Sequence, residues 1–589
     1  MRVVVFHYHL NPGGVTGVIT RALAALLEVS PDLEEVIIVS GSGDNAGHVV
    51  EVLADERLRI EILPEIGYRE HDTSAARCRE QARGIRHALL QRYRGHDTVW
   101  WVHNYHLGKN PAFTRALLEI AASGRQRMLL HIHDFPECGR YENLARLHQA
   151  CGYDLYPTAS SVSYAAINQR DRSLLSVAGI DDCRAWLIPN PVVTSAGPAE
   201  PSDEPSATRV LGRLHAERAG SGGRPGGADP ARSAGPVGAS GPRRATGAGG
   251  TGLCGTPDGR LLFYPVRCIR RKNVLEAGLL ARLLEHQEDR PCNLVVTLPG
   301  VSVAEQGYSR MVEAVFDAGD IRGYFGVGEW QAPSFDQLAL AADLVVSTSV
   351  QEGFGYAFFD PLCWGRPLVA RELDTLCGSV DLFHDYPACL YDALQVPVEI
   401  SGGNGTGSSG YGYGVRENLR SAYQRQIKRM EAGLGADLVE RVEAQLESLL
   451  GGATIDFSYL AVDTQRNVLR RIGGDDGFRK EVLSLNAGLV TNALQLAGSR
   501  CTPRREALAE RFGPHAVARR LHDALTSCGS PPAGCGDQAH DAEESGPAAE
   551  RGSAGDPTVG RASPAEIHLR IMEAFAAPQY ARLLYAPYP

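Results

Sequence analysis

Short apolar segments alternate along this chain with longer segments of helical periodicity, and this alternation limits the fold more than any other feature. Alternation of this kind is typical of a parallel sheet covered by helices on both faces. The pattern predicts one α/β domain in residues 1–193 and a second after residue 259. The predicted strands are Val3–Phe6, Val36–Val39, Thr98–Val102, Met128–His131 and Ala185–Ile188 in the first domain, and Leu261–Tyr264, Asn293–Leu298, Ile321–Phe325 and Leu344–Ser347 in the second.

Two segments of low complexity interrupt the pattern. Between about residues 195 and 256, Gly, Pro, Ala, Ser and Arg dominate and the apolar periodicity is lost, which predicts a flexible linker or insert without a core of its own. A second such segment comes near the C-terminus. The predicted organisation has two Rossmann-like domains, one over 1–193 and one, with a helical extension, over 259–526. A linker or insert over 194–258 separates them. An insert over 527–563 and a C-terminal helix over 564–589 follow, with the clearest helical pattern at Ala565–Leu584.

Charge and composition exclude several classes of partner. The 589-residue chain carries a formal net charge of −10, which argues against nucleic acid, since nucleic-acid-binding proteins present basic faces. No apolar run approaches the roughly 20 residues of a transmembrane segment. Met1 runs directly into a predicted strand, without the pattern of a signal peptide, and the 13 cysteines show no CxxC spacing. We therefore expect reduced thiols and a cytoplasmic location.

The stretch from Ser349 to Arg371 combines a tight turn with two carboxylates. A predicted strand precedes it, Gly353-Phe354-Gly355 forms the turn, and a helix follows. A loop that leads from a parallel strand into a helix is a common anion site. Glu352 and Asp360 are eight residues apart, which suits two contacts on one long ligand such as a sugar nucleotide better than a glycosidase pair. Asp360 as a plain surface charge remains the alternative.

A glycine-rich turn, residues 11–17, lies between the first strand and the first helix, where α/β sheets bind phosphates. Pro12 stands where the dinucleotide fingerprint GxGxxG needs its first glycine, so nicotinamide binding is not expected. Gly13 and Gly14 suit close approach of backbone to a ligand. A plain tight turn is an equal alternative on this loop alone.

A basic turn follows the first strand of the second domain. It contains Arg267 and Lys272, with further cations between them, and it leads into a helix. Cations at a strand-to-helix turn suit a diphosphate, because charge-assisted hydrogen bonds strengthen on partial burial. Most basic runs of this kind are solvated loops without a ligand. The position of this one directly after a strand favours a diphosphate site.

Histidines cluster at the predicted carboxyl ends of strands in the first domain, the edge where open α/β sheets bind ligands. His131 and His133 share one face of a strand, so a metal pair completed by His103 and Asp134 is one alternative. Histidines that line a cleft are favoured instead, with His133 at the reacting group. They are His7, His9, His103, His131 and His133.

In this order, these motifs resemble the retaining glycosyltransferases of family 4, which have the GT-B fold of two facing Rossmann-like domains with a cleft between them. Glu352 through Asp360 resembles the family's E-x7-E signature, with Asp in place of the second Glu. Arg267 and Lys272 match its donor-phosphate cations, and Gly13-Gly14 matches its glycine loop.

The resemblance covers residues 1–193 and 259–400. His133 looks like the family's active-site histidine, with His131 as a rival for that position. Asn190-Pro191 resembles the usual end of the first domain. Asp360 is one methylene shorter than the family's Glu, a change that affects base preference and affinity more than the type of reaction.

The resemblance implies a hexosyltransferase that moves a sugar from an NDP-sugar to an acceptor with retention of configuration, without a metal ion or another cofactor. The first domain would lie on the acceptor side, and the second would bind the nucleotide-sugar. The implied catalytic residues are His133, Glu352, Arg267 and Lys272. The implied donor-binding residues are Gly13, Gly14, Arg267, Lys272, Glu352, Gly353, Phe354, Gly355 and Asp360.

The sequence constrains the acceptor less than the donor or the type of reaction. His103, Asn104, Lys109 and Arg140 lie on the predicted ligand edge of the first domain, and they favour a small polar or anionic acceptor over a lipid, since no amphipathic basic helix stands out. A sugar-nucleotide epimerase, a phosphorylase and a non-catalytic sugar-nucleotide binder remain as alternatives.

Overall fold

The structure is a computed structural model, and it describes residues 1–69, 74–95, 97–194, 205–220, 255–331, 333–398, 415–529 and 562–584. Two parallel sheets form its framework, each with helices on both faces. Most of the linker predicted over 194–258 and of the insert predicted over 527–563 lies outside the described residues.

The first sheet has seven parallel strands in the order β3-β2-β1-β4-β5-β6-β7. Its first six strands follow the doubly wound Rossmann order. The strands are β1 (Arg2–His7), β2 (Glu35–Ser40), β3 (Leu58–Ile62), β4 (Thr98–His103), β5 (Arg127–Ile132), β6 (Val162–Ala166) and β7 (Ala185–Leu187). The helices are α1 (Gly14–Val29), α2 (Ala46–Leu53), α3 (Ala75–Tyr93), α4 (Pro111–Ala122), α5 (Tyr141–Cys151) and α6 (Gln169–Ala178).

The second sheet has six parallel strands in the order β10-β9-β8-β11-β12-β13, which is the same winding. The strands are β8 (Arg260–Arg267), β9 (Cys292–Leu298), β10 (Gly323–Phe325), β11 (Leu344–Ser347), β12 (Leu368–Arg371) and β13 (Ala388–Tyr391). The helices packed around it are α7 (Ala207–Gly220), α8 (Val274–Glu288), α9 (Val303–Asp317), α10 (Phe335–Ala341) and α11 (Tyr356–Trp364). The predicted class, two Rossmann-like α/β domains, is confirmed.

Helices and a short antiparallel pair of strands extend the second domain. The pair is β14 (Gln395–Pro397) with β15 (Thr454–Asp456), and the helices are α12 (Val415–Leu434), α13 (Ala436–Gly451), α14 (Val462–Gly474), α15 (Asp476–Leu485), α16 (Ala487–Leu496) and α17 (Arg505–Phe512). Two more helices follow, α18 (Pro514–Ser527) and α19 (Pro564–Phe575). Among the described residues, no helix is long and apolar enough to span a membrane.

Local sequence explains why several elements begin where they do. Asn110 caps α4 by accepting a hydrogen bond from the Phe113 N–H, and Pro111 occupies the first helical position, where its missing N–H costs nothing. Ser302 and Glu305 form a capping box at the start of α9. The strands of both sheets are almost wholly buried, as expected for parallel sheets covered on both faces.

Two segments differ from the prediction. Residues 207–220 of the predicted linker form α7, whose Val210, Leu211 and Leu214 are buried against the second sheet, so this part of the segment has a packed core. The last helix ends at Phe575 instead of extending to Leu584, and a short 3-10 turn begins at Pro578, which cannot continue an α-helix.

The C-terminal helices also cross back to the first domain. Residues of α18 pack into the hydrophobic core beneath β1 and α1, and Arg127 on β5 donates hydrogen bonds to carbonyls at the end of α18. On α19, His568 pairs with Glu137 of the first domain at 3.0 Å. Both α18 and α19 therefore contact the first domain, although they follow the second domain in the sequence.

Candidate active site

The two domains meet through the loops that follow β5 and β11. A Cβ atom added to Gly353 would lie 2.8 Å from the carbonyl oxygen of His133, so only glycine allows this approach. Asn168 donates a hydrogen bond to the Gly353 carbonyl at 2.7 Å, and the Tyr356 hydroxyl donates to the Pro191 carbonyl at 3.1 Å. The loop predicted to bind the donor thus faces the predicted active-site histidine across the cleft.

Glu352 lies at the centre of a buried charge cluster. One carboxylate oxygen pairs with the Lys272 ammonium, and the other accepts a hydrogen bond from Arg271 at 3.1 Å. Arg271 also donates to the Gln351 carbonyl at 3.0 Å. The basic turn after β8 and the Glu352 loop after β11 are adjacent because β8 and β11 are neighbours in the sheet. The structure therefore brings Lys272 and Glu352 together.

The cluster holds the Glu352 carboxylate in charged form. Burial alone would raise the pKa of Glu352, but Lys272 and Arg271 outweigh it and lower the pKa to about 2. Burial lowers the pKa of Lys272, and its pairing with Glu352 opposes that change. Removing either member leaves the other buried with fewer partners, which is costly.

The remaining cations of the basic turn divide into two kinds. Arg270 is buried and donates hydrogen bonds to Asn273 and to the Leu460 carbonyl, so it supports the fold. Arg267, at the end of β8, has a buried Nε atom without a hydrogen-bond partner among the described residues. The structure does not place Arg267 on Glu352; Arg271 takes that contact instead.

The glycine turn and Asp360 line one cavity of about 300 Å³ between the domains. The space beyond Gly14 and Gly17 is open for more than 4 Å from the position of a Cβ atom. Two elements predicted to bind the donor from opposite domains therefore face the same space. The lining residues are Gly13, Gly14, Gly17, Arg21, Val193, Tyr356 and Asp360.

Asp360 is a perturbed acid within this cavity. Burial raises its pKa to about 7, and the opposing charge of Arg21 offsets the effect only in part. Its position against Arg21 and the glycine turn disfavours the alternative of a solvated surface charge. Gly355, at the N-terminus of α11, adopts φ +80°, a conformation that glycine favours. The Phe354 side chain packs against Phe359 and Phe512.

Three of the strand-end histidines form a compact buried cluster. One ring nitrogen from each of His103, His131 and His133 lies within 4.8 Å of the others. His103 Nδ1 and His133 Nε2 share a hydrogen bond of 2.9 Å. The indole N–H of Trp101 donates to His131 Nδ1 at 3.1 Å. Burial lowers the pKa of His133 to about 4 and those of His103 and His131 well below the usual value, so all three are neutral at pH 7.

All three histidines are buried. His133 is 5% exposed, His131 1% and His103 0%, so exposure does not decide between His133 and its rival His131. The Asn104 side chain accepts a hydrogen bond from the His133 backbone N–H at 2.8 Å. His103 and Asn104 were predicted to meet an acceptor, but both are buried and contact His133 instead.

The predicted acceptor-side cations lie at the edge of the same loops. Arg140 pairs with Asp134 at 3.3 Å, and the Lys109 ammonium lies 5.1 Å from the centre of the Tyr68 ring. The Tyr68 hydroxyl is 3.3 Å from His9 Nε2. These polar and cationic groups lie near one another and near Asp134, the residue after His133 in the sequence. They are Lys109, Arg140, Tyr68 and His9.

Sequence reasoning missed three residues of the site. They come from positions without a motif, and only adjacency in the fold identifies them. They are Arg21, Asn168 and Tyr356. Arg271 belongs to the predicted basic turn, and the structure adds its contact with Glu352.

The solved structures that are similar to this chain include the following two. A glycosyltransferase from Rickettsia africae ESF-5 is 10% identical, with 90% of this chain and 99% of that chain covered and a TM-score of 0.41. Sucrose-phosphate synthase from Thermosynechococcus elongatus is 11% identical, with 89% and 98% covered and a TM-score of 0.42.

A curated relative is similar in sequence over most of its length. Mannosylglucosyl-3-phosphoglycerate synthase from Petrotoga mobilis is 26% identical over 465 residues, which are 78% of this chain and 79% of that protein. No family model matches the chain. The similarity to this enzyme supports glycosyltransferase function.

Proposed function

We propose that this protein transfers a hexosyl group from an NDP-sugar to an anionic acceptor, with retention of configuration and without a metal ion. The observation that carries the proposal is the cluster of Lys272, Arg271 and Glu352 at the carboxyl edge of the second sheet. It lies on the loop that faces His133 across the cleft. Cations and a carboxylate at one point suit the two ends of a sugar diphosphate.

The chemical problem is the charge of the leaving group. When the glycosidic bond to the diphosphate breaks, negative charge develops on the phosphate oxygens, and fixed positive groups stabilise it. Lys272, Arg271 and Arg267 supply such groups, and the N-termini of α1 and α11 add backbone N–H donors. Diphosphate oxygens then share the cations that pair with Glu352 in the free protein.

Glu352 and Asp360 contact different parts of the donor. Glu352 binds hydroxyls of the transferred sugar and so fixes its orientation. Asp360, in the cavity beside the glycine turn, reaches the ribose. The leaving phosphate takes the proton of the acceptor hydroxyl on the same face of the sugar, which preserves the configuration. The closed contact between Gly353 and His133 limits entry of water and hydrolysis of the donor.

The acceptor binds on the first domain. Arg140 pairs with Asp134, Lys109 lies over the ring of Tyr68, and Tyr68 and His9 add hydrogen-bonding groups. These groups suit a phosphate or carboxylate. The name of the Petrotoga enzyme describes a product that contains phosphoglycerate, which agrees with an anionic acceptor here.

A panel of NDP-sugars tests the proposal, with glucosyl-3-phosphoglycerate and its dephosphorylated form as acceptors. We expect one donor to give a disaccharide product with the phosphorylated acceptor, and NMR of the new linkage to show the anomeric configuration of the donor. Lys272→Ala lowers turnover at least tenfold, whereas Lys480→Ala, an exposed lysine on α15, leaves it unchanged.

Other outcomes would contradict the proposal. Conversion of the NDP-sugar to an epimer without any acceptor would identify an epimerase. Release of a sugar phosphate on addition of inorganic phosphate would identify a phosphorylase. A thermal shift with an NDP-sugar, but no turnover with either acceptor, would favour a binding protein.

A further inference from the structure

A second cavity of about 300 Å³ lies between the two domains. It shares no lining residue with the cavity at the glycine turn. Its walls come from the ends of β6 and β7 in the first domain, from the loops after β11 and β12 in the second, and from helices α17 and α18. Its size is at the lower end of the range for small-molecule sites.

One side of this cavity is apolar. Phe354, Phe359 and Phe512 line it, and each pair of their ring centroids is 4.9 to 5.3 Å apart. Ile167 and Leu187 add aliphatic surface from the first domain. Such a wall suits the apolar body of a ligand, because removing apolar area from water is favourable.

Arg520 on α18 brings a positive charge to the same cavity. One of its N–H groups donates to the Arg511 carbonyl at 2.9 Å. Arg511 pairs with Asp381, whereas Arg520 forms no ion pair with a carboxylate of the described residues. Burial and the charges of Arg511 and Arg519 lower the pKa of Arg520. An anion in the cavity would supply the opposite charge that Arg520 lacks.

Thr375 lines the cavity from the second domain, in the loop after β12. Its side chain is 5% exposed, and its Oγ1 atom has no hydrogen-bond partner among the described residues. Leaving a buried hydroxyl without a partner is costly. A hydroxyl can donate one hydrogen bond, so an oxyanion of a ligand is a suitable partner for Thr375.

The other polar groups around the cavity also favour an anion. None of the described residues that line it is acidic. Asn168 lines the cavity and caps α6, so the positive end of that helix dipole lies at its edge. Asp171, in the first turn of α6, is already paired with Arg170 at 2.6 Å.

We propose that this cavity binds a small organic anion, with an apolar ring or chain against the three phenylalanines and an oxyanion held by Arg520 and Thr375. Thr375 follows a strand of the second sheet, whereas Arg520 lies on α18, which packs into a core of the first domain. A bound anion therefore contacts both domains and stabilises the arrangement in which they lie together. Phe354 extends this contact to the loop that contains Gly353.

¹⁹F NMR of the full-length protein tests the site with two matched probes. 4-Fluorobenzoate has an aromatic ring and a carboxylate, and 4-fluorobenzamide has the same ring and a similar shape without the charge. We expect the benzoate to bind at least about tenfold more tightly than the benzamide, since a charge-assisted hydrogen bond is stronger than a neutral one. Line broadening during titration with protein gives both dissociation constants.

Variants separate this cavity from other cationic sites. Arg520→Gln should reduce the affinity for the benzoate to that for the benzamide. Thr375→Val, which removes the hydroxyl and keeps the shape, should weaken benzoate binding about fivefold. Arg519→Gln is the matched control, because Arg519 is the exposed neighbour on the same helix. Lys272→Ala should also leave the affinity for the benzoate unchanged, since Lys272 belongs to the Glu352 cluster.

Several results would overturn the proposal. They are absence of binding, equal affinity of the wild-type protein for the two probes, and a preference for the benzoate that persists in Arg520→Gln. Loss of that preference in Lys272→Ala would place the anion in the donor cleft instead. If Arg520→Gln does not fold, the wild-type comparison and Thr375→Val decide. None of these measurements depends on transferase activity, so the cavity and the proposed function are tested separately.

Discussion

Substitutions in the buried pair of Lys272 and Glu352 test the centre of the site through stability. Holding the pKa of Glu352 at about 2 instead of 4.5 corresponds to about 3 kcal/mol, since each pKa unit is worth about 1.4 kcal/mol. Glu352→Gln should therefore destabilise the second domain by about 3 kcal/mol at pH 7. Of the two cations, Lys272 has the larger effect on the pKa of Glu352. Lys272→Met should therefore cost about 2 kcal/mol, because Arg271 remains as a partner of Glu352.

The double variant and the pH dependence make this prediction specific. Because the two groups are in contact, the double variant should cost about 1–2 kcal/mol less than the sum of the single variants. The lowered pKa means that the folded state binds fewer protons than the unfolded state. The stability from Glu352 is therefore fully present above about pH 4.5 and is lost as the pH falls toward 2.

Urea unfolding followed by tryptophan fluorescence provides the assay, with Trp330 and Trp364 reporting on the second domain. Arg420→Met is the control, because Arg420 and Glu447 form a pair in which both side chains are about half exposed, and such pairs contribute less than about 1 kcal/mol. Additive single variants, or a Glu352→Gln effect no larger than that of the control, would refute the buried pair.

Three further predictions concern other parts of the molecule. Asp360→Asn should become more stable than the wild type as the pH rises from about 4 through 7, because the raised pKa of Asp360 makes its ionisation destabilising; parallel profiles of Tm against pH would contradict this. Transferase activity should survive EDTA, since protein cations take the place of a metal ion; complete loss with rescue by a divalent ion would reject that proposal. Leu211 on α7 is fully buried, so Leu211→Asp should cost about 3 kcal/mol in urea unfolding. Ala216→Asp on the exposed side of the helix should be nearly neutral. Equal effects of the two variants would show that α7 is not packed.

Sequence patterns predicted the main strands of both sheets because buried parallel strands are nearly continuous apolar runs. The two missed strands of the first sheet are instructive. β3 lies at the edge of the sheet and alternates polar with apolar residues, as in Leu58–Ile62, and β6 is a short run that contains Ser163. Neither has the continuous apolar composition that identified its neighbours.

The helix α7 shows how composition misleads. Residues 207–220 lie within a segment dominated by small and polar residues, and the few apolar residues that pack on the second sheet do not stand out against that background. The return of α18 and α19 to the first domain is equally invisible in sequence, because helical periodicity indicates an apolar face but not the surface that it covers.

The sequence by itself determined the two-domain α/β architecture and the positions of Glu352, Lys272, Asp360 and the glycine turn, because strand–helix alternation and the loops that follow strands are local features. Only the tertiary structure decided which groups meet. It paired Glu352 with Lys272 and Arg271, placed Asp360 against Arg21, and turned His103 inward to contact His133. Contacts between distant loops depend on the order of strands in each sheet and on how the domains close, and neither is encoded in local periodicity.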